Sequence, residues 1–254
     1  MAKPRPGRPT ELTADLLDEC LQAAGESYEA GELAFLALGT QIENPIRDRV
    51  AFELHRRLRR TGLDVGREWT GMDTEGEGGR RAARRVDLAV VKRSARYSRR
   101  DKAMDTRGVV EFKSARTFKA QSASGLSTVY KQVTDDIAKC VTWIGLMVEP
   151  IFAVVLLPHG EIVDDEMTAD HVTKDYWEMW KAGQPVRSDA VREQAAAGVA
   201  DRLAPLGPVR RGVIDGGVEF GTHVTVPYVI LGPVSNDTMM ALLNKWPLPA
   251  VPAQ

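Results

Sequence analysis

Apolar residues recur first at helical and then at strand spacing. Leu16, Leu17, Cys20 and Leu21 share one helical face, and Thr13-Ala14-Asp15 ahead of them predicts the start of that helix. A second helical pattern begins near Gly31 and runs through Leu33, Phe35, Leu36 and Leu38. Ile46, Val50, Leu54 and Leu58 then repeat at every fourth position, the apolar stripe of a third helix. Pro45 suits its first turn, Asn44 its cap and Gly62 its close. Glu43 extends the line of that stripe and Glu53 lies on its edge, while Arg56, Arg57, Arg59 and Arg60 coat the outer face.

Strand signals follow over residues 64–70, 85–91 and 108–114. Residues 119–127 are small and polar and predict a loop, and residues 128–143 predict a helix with Val129, Val133, Ile137, Cys140 and Val141 on one face. The unbroken apolar run 151–157 predicts a strand covered on both faces. Helix, three strands, helix and strand in that order predict an α/β fold with a mixed sheet, a meander joined to a crossover strand. Further on, helices are expected over 170–181, 188–204 and 236–245, with strand-like alternation over 213–231 turning at Gly216-Gly217. The expected organisation is a flexible basic arm (1–12), a helical lead-in and core (13–160), an α+β extension packed on that core (161–246) and a flexible tail (247–254).

Composition narrows the class. The 254 residues are 43% hydrophobic and 27% charged, too apolar for a disordered chain. A membrane-spanning helix needs about 20 apolar residues in succession, and no run here approaches that. Cys20 and Cys140 form neither a disulfide framework nor a zinc pattern, and no apolar leader precedes the first helix, so a cytoplasmic location is expected. The formal net charge of −1 argues at first against a nucleic-acid partner. It conceals an asymmetry. Residues 80–102 hold ten Lys/Arg against two acids, whereas residues 161–201 hold ten acids against four Lys/Arg. Such a basic segment suits a phosphate backbone.

Candidate chemistry lies beside that segment. In a strand, residues i and i+2 share a face, so Glu111 and Lys113 point the same way while Phe112 points to the core. Asp87 sits between apolar Val86 and Leu88 in the neighbouring strand, where a carboxylate must be paired or bind a metal if it is buried. Two carboxylates one strand apart form a hard-oxygen pair suited to Mg²⁺, and a nearby ammonium can orient or deprotonate an attacking water. The histidines His55, His159, His171 and His223 have no metal-ligand spacing; His55 is expected on a helix surface and His159 in a turn.

Arg85-Val86-Asp87 followed by Val110-Glu111-Phe112-Lys113 resembles the PD-(D/E)XK motif of the restriction-endonuclease-like nuclease superfamily, with Val86 in place of the proline. The resemblance spans residues 41–158. It implies a core of helix, three-stranded meander, helix and strand, and a Mg²⁺-dependent DNA endonuclease, with Mn²⁺ able to substitute. It implies Asp87 and Glu111 as metal ligands and Lys113 as the residue assisting the water. Glu43 is the first choice for an acid on the leading helix, expected to support the metal or its water as a third metal ligand, and Glu53 is the second. On the following helix Gln132 is expected to face the site, and more weakly Tyr130 and Lys131, whereas Asp136 and Lys139 read as a structural pair. Arg80, Arg81, Arg84, Arg85, Arg96 and Arg99 are the expected DNA contacts. A homodimer or higher homo-oligomer and a role in defence against foreign DNA are also expected. Two other readings stand beside this one: a non-catalytic nucleic-acid-binding protein on the same fold, and a nuclease gated by a ligand or partner.

Overall fold

The computed structural model of the chain describes residues 10–69, 85–93, 106–144, 150–163 and 189–245. Three helices lead, α1 (Ala14–Glu26), α2 (Glu32–Gly39) and α3 (Glu43–Leu58), followed by strands β1 (Leu63–Trp69), β2 (Val86–Lys92) and β3 (Thr106–Ser114). Next come α4 (Thr117–Ala120), α5 (Ala123–Ile144), β4 (Ile151–Leu156) and β5 (His159–Ile162). The last elements are α6 (Asp189–Leu203), β6 (Val209–Glu219), β7 (Thr222–Leu231) and α7 (Asn236–Lys245). Residues 1–9 of the expected arm, the tail, the predicted helix over 170–181 and most of the basic segment lie outside the described residues, while Leu12, expected at the end of the arm, is buried in the core.

Local chemistry sets the element ends. The Thr13 hydroxyl accepts the Leu16 N–H at 3.1 Å and caps α1. α3 begins one residue before its expected cap: Ile42, held in the core, occupies the N-cap position without a side-chain bond, and Asn44 lies inside the first turn. The helix ends at Leu58, and Gly62, at φ +79°, turns the chain into β1. The loop expected over 119–127 is instead α4 and the start of α5. The Ser122 hydroxyl accepts the Gly125 N–H at 3.0 Å, which starts α5 well before the apolar periodicity does.

β1, β2 and β3 form an antiparallel meander, and β4 lies parallel to β3 with α5 as the crossover. β4 and β5 lie end to end along one edge of β7 in a single register, from Ala153 opposite Leu231 to Ile162 opposite Thr222. The Leu157 N–H, bonded to the Pro227 carbonyl at 2.8 Å, carries that register across the join. β6 pairs along the other edge of β7. The expected boundary after residue 160 therefore falls inside β5, and β6 and β7 extend the sheet begun by β1–β4. The turn expected at Gly216-Gly217 is a bulge within β6. The chain reverses at Phe220-Gly221, where φ is 49° and 64°, the mirror-image turn that matches strand twist.

This is an α/β fold with a mixed sheet. One face packs Leu88, Val90, Val110, Phe112, Phe152 and Val154 against α1–α3, and the other packs Val109, Ala153, Val155 and Val229 against α5, α6 and α7. No helix among the described residues is long and apolar enough to cross a membrane.

Candidate functional site

The site begins where two strands part. Ladder pairing between β2 and β3 ends at Leu88 opposite Val110. Asp87, the next residue of β2, fills the opening with its carboxylate, and its Oδ2 accepts the Phe112 N–H at 2.8 Å. Its Oδ1 lies 3.4 Å from the Arg47 guanidinium. Arg47, from α3, is buried and also meets Asp48 at 3.2 Å and Glu68 at 3.4 Å. Burial works against its charge, but Asp48 and Asp87 outweigh it and raise its pKa.

Glu111 and Lys113 share the face that packs on α5. Glu111 is only 2% exposed; its Oε1 stands 2.8 Å from Lys139 Nζ and accepts from Cys140 Sγ at 3.4 Å. Burial, reinforced by the Asp87 charge and opposed by Lys139, pushes its carboxyl up to about 8. Lys113 Nζ meets Asp136 Oδ2 at 2.7 Å, and the other Asp136 oxygen lies 3.1 Å from Lys139 Nζ. Asp136 and Lys139, one helical turn apart on α5, are therefore the structural pair expected, and they also tie Lys113 to Glu111 in a chain of alternating charges. Burial alone would lower the Lys113 pKa; Asp136, Glu43 and Glu111 reverse that and hold it charged.

Glu43 joins this group from the first turn of α3. Its carboxyl is raised by burial and by Asp87, and lowered by Lys113, by a backbone hydrogen bond at Ser114 and by Arg47. Asp87, Glu111, Lys113 and Glu43 thus act on one another electrostatically, although they come from three different elements.

Other expected residues lie elsewhere. Glu53 is buried on α3, bonded to Arg56 at 2.8 Å and close enough to Cys20 of α1 to act on its thiol. Tyr130 stacks under the Arg202 guanidinium of α6 at 4.9 Å, and exposed Lys131 pairs with Asp135. Gln132 is exposed and lines a neighbouring cavity. Arg85 is exposed and bonded to Glu68 at 2.6 Å. Arg80, Arg81, Arg84, Arg96 and Arg99 lie outside the described residues. His55 is half-buried and 2.7 Å from Asp64; His159 is not in a turn but is the buried first residue of β5. Sequence reasoning passed over Arg47. Its signal was position: it follows Glu43 by four residues and so shares its helical face.

Among the described residues no group of three or more His, Cys, Asp or Glu is gathered as a metal cage. The donor chemistry nevertheless fits a hard divalent cation. Asp87 and Glu111 supply carboxylate oxygens from adjoining strands, and Glu111 lacks enough positive charge nearby to ionise readily. Mg²⁺ typically takes one or two protein carboxylates and completes its shell with water and phosphate oxygens. Comparison with protein-family models, with curated proteins and with solved structures finds no match to this chain.

Proposed function

We propose that this chain is a metal-dependent endonuclease that hydrolyses DNA phosphodiester bonds, built on a restriction-endonuclease-like core. The observation that carries the reading is Asp87 in the opening between β2 and β3, with Glu111 on the adjoining strand and Lys113 two residues on along the same face. The run α3, β1–β3, α5 and β4 supports it, because that order frames the same three residues.

Asp87 and Glu111 would hold Mg²⁺ or Mn²⁺, which supplies Lewis-acid stabilisation and an acidified water. The remaining steps fall to the protein. Lys113, kept protonated by its acidic neighbours, orients the water and stabilises charge on the phosphate rather than removing a proton. Glu43, whose raised pKa favours holding a proton, would accept the proton that the water gives up. Asp136 and Lys139 position Lys113 and Glu111 through their ion pairs. The basic segment over 80–102 flanks β2 in sequence and would meet the backbone of DNA. Cutting both strands of a duplex is served by two copies related by two-fold symmetry. Defence against foreign DNA is the biological role that the resemblance suggests.

One observation favours a second reading. The ion pairs Glu111–Lys139, Lys139–Asp136 and Asp136–Lys113 tie these four side chains to one another, as a purely structural network would. On that reading the chain binds nucleic acid without cutting it. Thermal unfolding with and without about 5 mM MgCl₂, in excess over a weak cation site, separates the two. The nuclease reading expects a rise in melting temperature that Asp87→Asn abolishes. An unchanged melting temperature in the wild-type chain favours the binder.

A further inference from the structure

β6 forms one margin of the sheet, and among the described residues it pairs with β7 alone. The register shows which groups line its outer edge. The Pro227 carbonyl points away from β6, where it accepts the Leu157 N–H at 2.8 Å. Val213 stands opposite Pro227, so its own N–H and C=O point away from β7, and by alternation those of Val209 and Arg211 do too. The Val213 carbonyl accordingly accepts Gln22 Nε2 of α1 at 3.1 Å rather than a donor from β7. A carbonyl oxygen takes two hydrogen bonds, so it can still accept from a second strand.

An edge of this kind is a template for another strand unless proline, a bulge or a covering segment blunts it. β6 holds no proline. The bulge after Asp215 and the α1–α2 connection close the edge beyond that point, with Gly31 N 3.1 Å from the place of a Gly217 Cβ. Before it, at Val213 to Asp215, the edge lies in an open groove of about 380 Å³. Gln22, Gly25 and Glu26 of α1 form one side of the groove, and Arg192 of α6 the other.

The side chains along the edge complement themselves. Ile214 points into the core under α1–α3, so Arg211, Val213 and Asp215 share the opposite face, and all three are exposed. Val213 is 46% exposed. Arg211 has no ion-pair partner among the described residues. Asp215 uses Oδ1 to accept the Gly217 N–H at 3.0 Å and to meet His223 at 2.9 Å, which leaves Oδ2 open. We propose that this edge is a homodimer interface, in which β6 pairs antiparallel with β6 of a second copy about a two-fold axis at Val213. That axis sets Val213 against Val213 and Arg211 against Asp215 of the second copy, twice over. Moving it by one residue sets Arg211 or Asp215 against Val213, and moving it by two sets like charges face to face. Only the nuclease reading gives the pair a use, cutting both strands; the interface itself stands on β6.

Sedimentation velocity of the full-length chain over about 1–100 µM tests the interface. The paired stretch is short, so a dimer that forms with rising concentration is expected. Arg211→Glu sets like charges against each other at both contacts and should weaken association about tenfold or more. Asp215→Arg should do the same. An equimolar mixture of the two variants sets opposite charges at both contacts and should restore association, a recovery that follows from the axis at Val213. Arg59→Glu, the same charge change at the end of α3, should leave association unchanged. Arg211 is exposed, so its variant carries the test if Asp215→Arg, which loses the Gly217 bond, fails to fold. A wild-type chain that stays monomeric overturns the proposal and leaves the edge to a strand from another protein. Association of Arg211→Glu as tight as that of the wild type also overturns it, as does a mixture of two folded variants that stays monomeric. Plasmid cleavage, measured separately, distinguishes the failures. Dimerisation by a chain that does not cut leaves the interface without the nuclease activity, and cutting by a monomeric chain leaves the activity without the interface.

Discussion

A carboxyl that is 2% exposed and close to a second carboxylate prefers its proton, and Glu111 is such a group. Its folded pKa of about 8 stands above the ordinary glutamate value of 4.5. Its contribution to stability is therefore fully present below pH 4.5 and is lost as pH rises toward 8. Urea unfolding across that window should show the wild-type chain losing stability relative to Glu111→Gln, with the two curves parallel below pH 4.5. A cation held by Asp87 and Glu111 counters that loss, so stabilisation by Mg²⁺ should grow over the same range. Asp87, Glu111 and Lys113 were legible in the sequence because strand alternation puts a lone acid between Val86 and Leu88 and sets Glu111 and Lys113 on one face. Arg47 was not, since a charged helical residue reads first as solvated; only the opening between β2 and β3 shows what it meets. The reach of Asp136 and Lys139 into the site was hidden for a similar reason. Their i, i+3 spacing explains one pair and gives no sign of Lys113 or Glu111 across the helix–sheet interface.

At the level of elements, periodicity located strands and helices better than their ends. α5 starts at Ala123 because Ser122 caps it, a local bond that an apolar pattern does not register. Gly125→Ala forces its new methyl into the Lys119 carbonyl, and a loss of about 1–3 kcal/mol in unfolding free energy is expected. The β6–β7 hairpin misled the reading in another way. Gly216-Gly217 resembles a turn, yet it forms a bulge, and the reversal falls on Phe220-Gly221. His159 shows how an element's neighbours set its chemistry. Burial, with Arg192 nearby, pushes its pKa down to about 4, below the ordinary 6.5. The folded state keeps it neutral while the unfolded chain takes up a proton. Its contribution is present above pH 6.5 and is lost as pH falls toward 4. Replacing it by Asn should flatten the stability profile over that interval, checked by urea unfolding at stepped pH.

For the whole molecule, the order of helix, meander, crossover helix and strand was readable, because each element announces itself locally. The placement of β7 beside β4 was not. Leu231 pairs with Ala153 far along the chain, and no periodicity encodes which distant strand closes an edge. The net charge of −1 is likewise a sum that hides its parts, a basic segment over 80–102 and an acidic one over 161–201. On the nuclease reading, neutralising Arg80, Arg81, Arg96 and Arg99 should weaken DNA binding far more than equal changes elsewhere. The most direct measurement is cleavage of supercoiled plasmid in Mg²⁺ by the purified wild-type chain beside Asp87→Asn and Lys113→Ala. The account predicts nicked or linear product from the wild type, abolished by EDTA and lowered by about 100-fold or more in each variant, the scale of removing one charge-stabilising group from an active site. Equal cleavage by all three proteins, or none by the wild type, would contradict it.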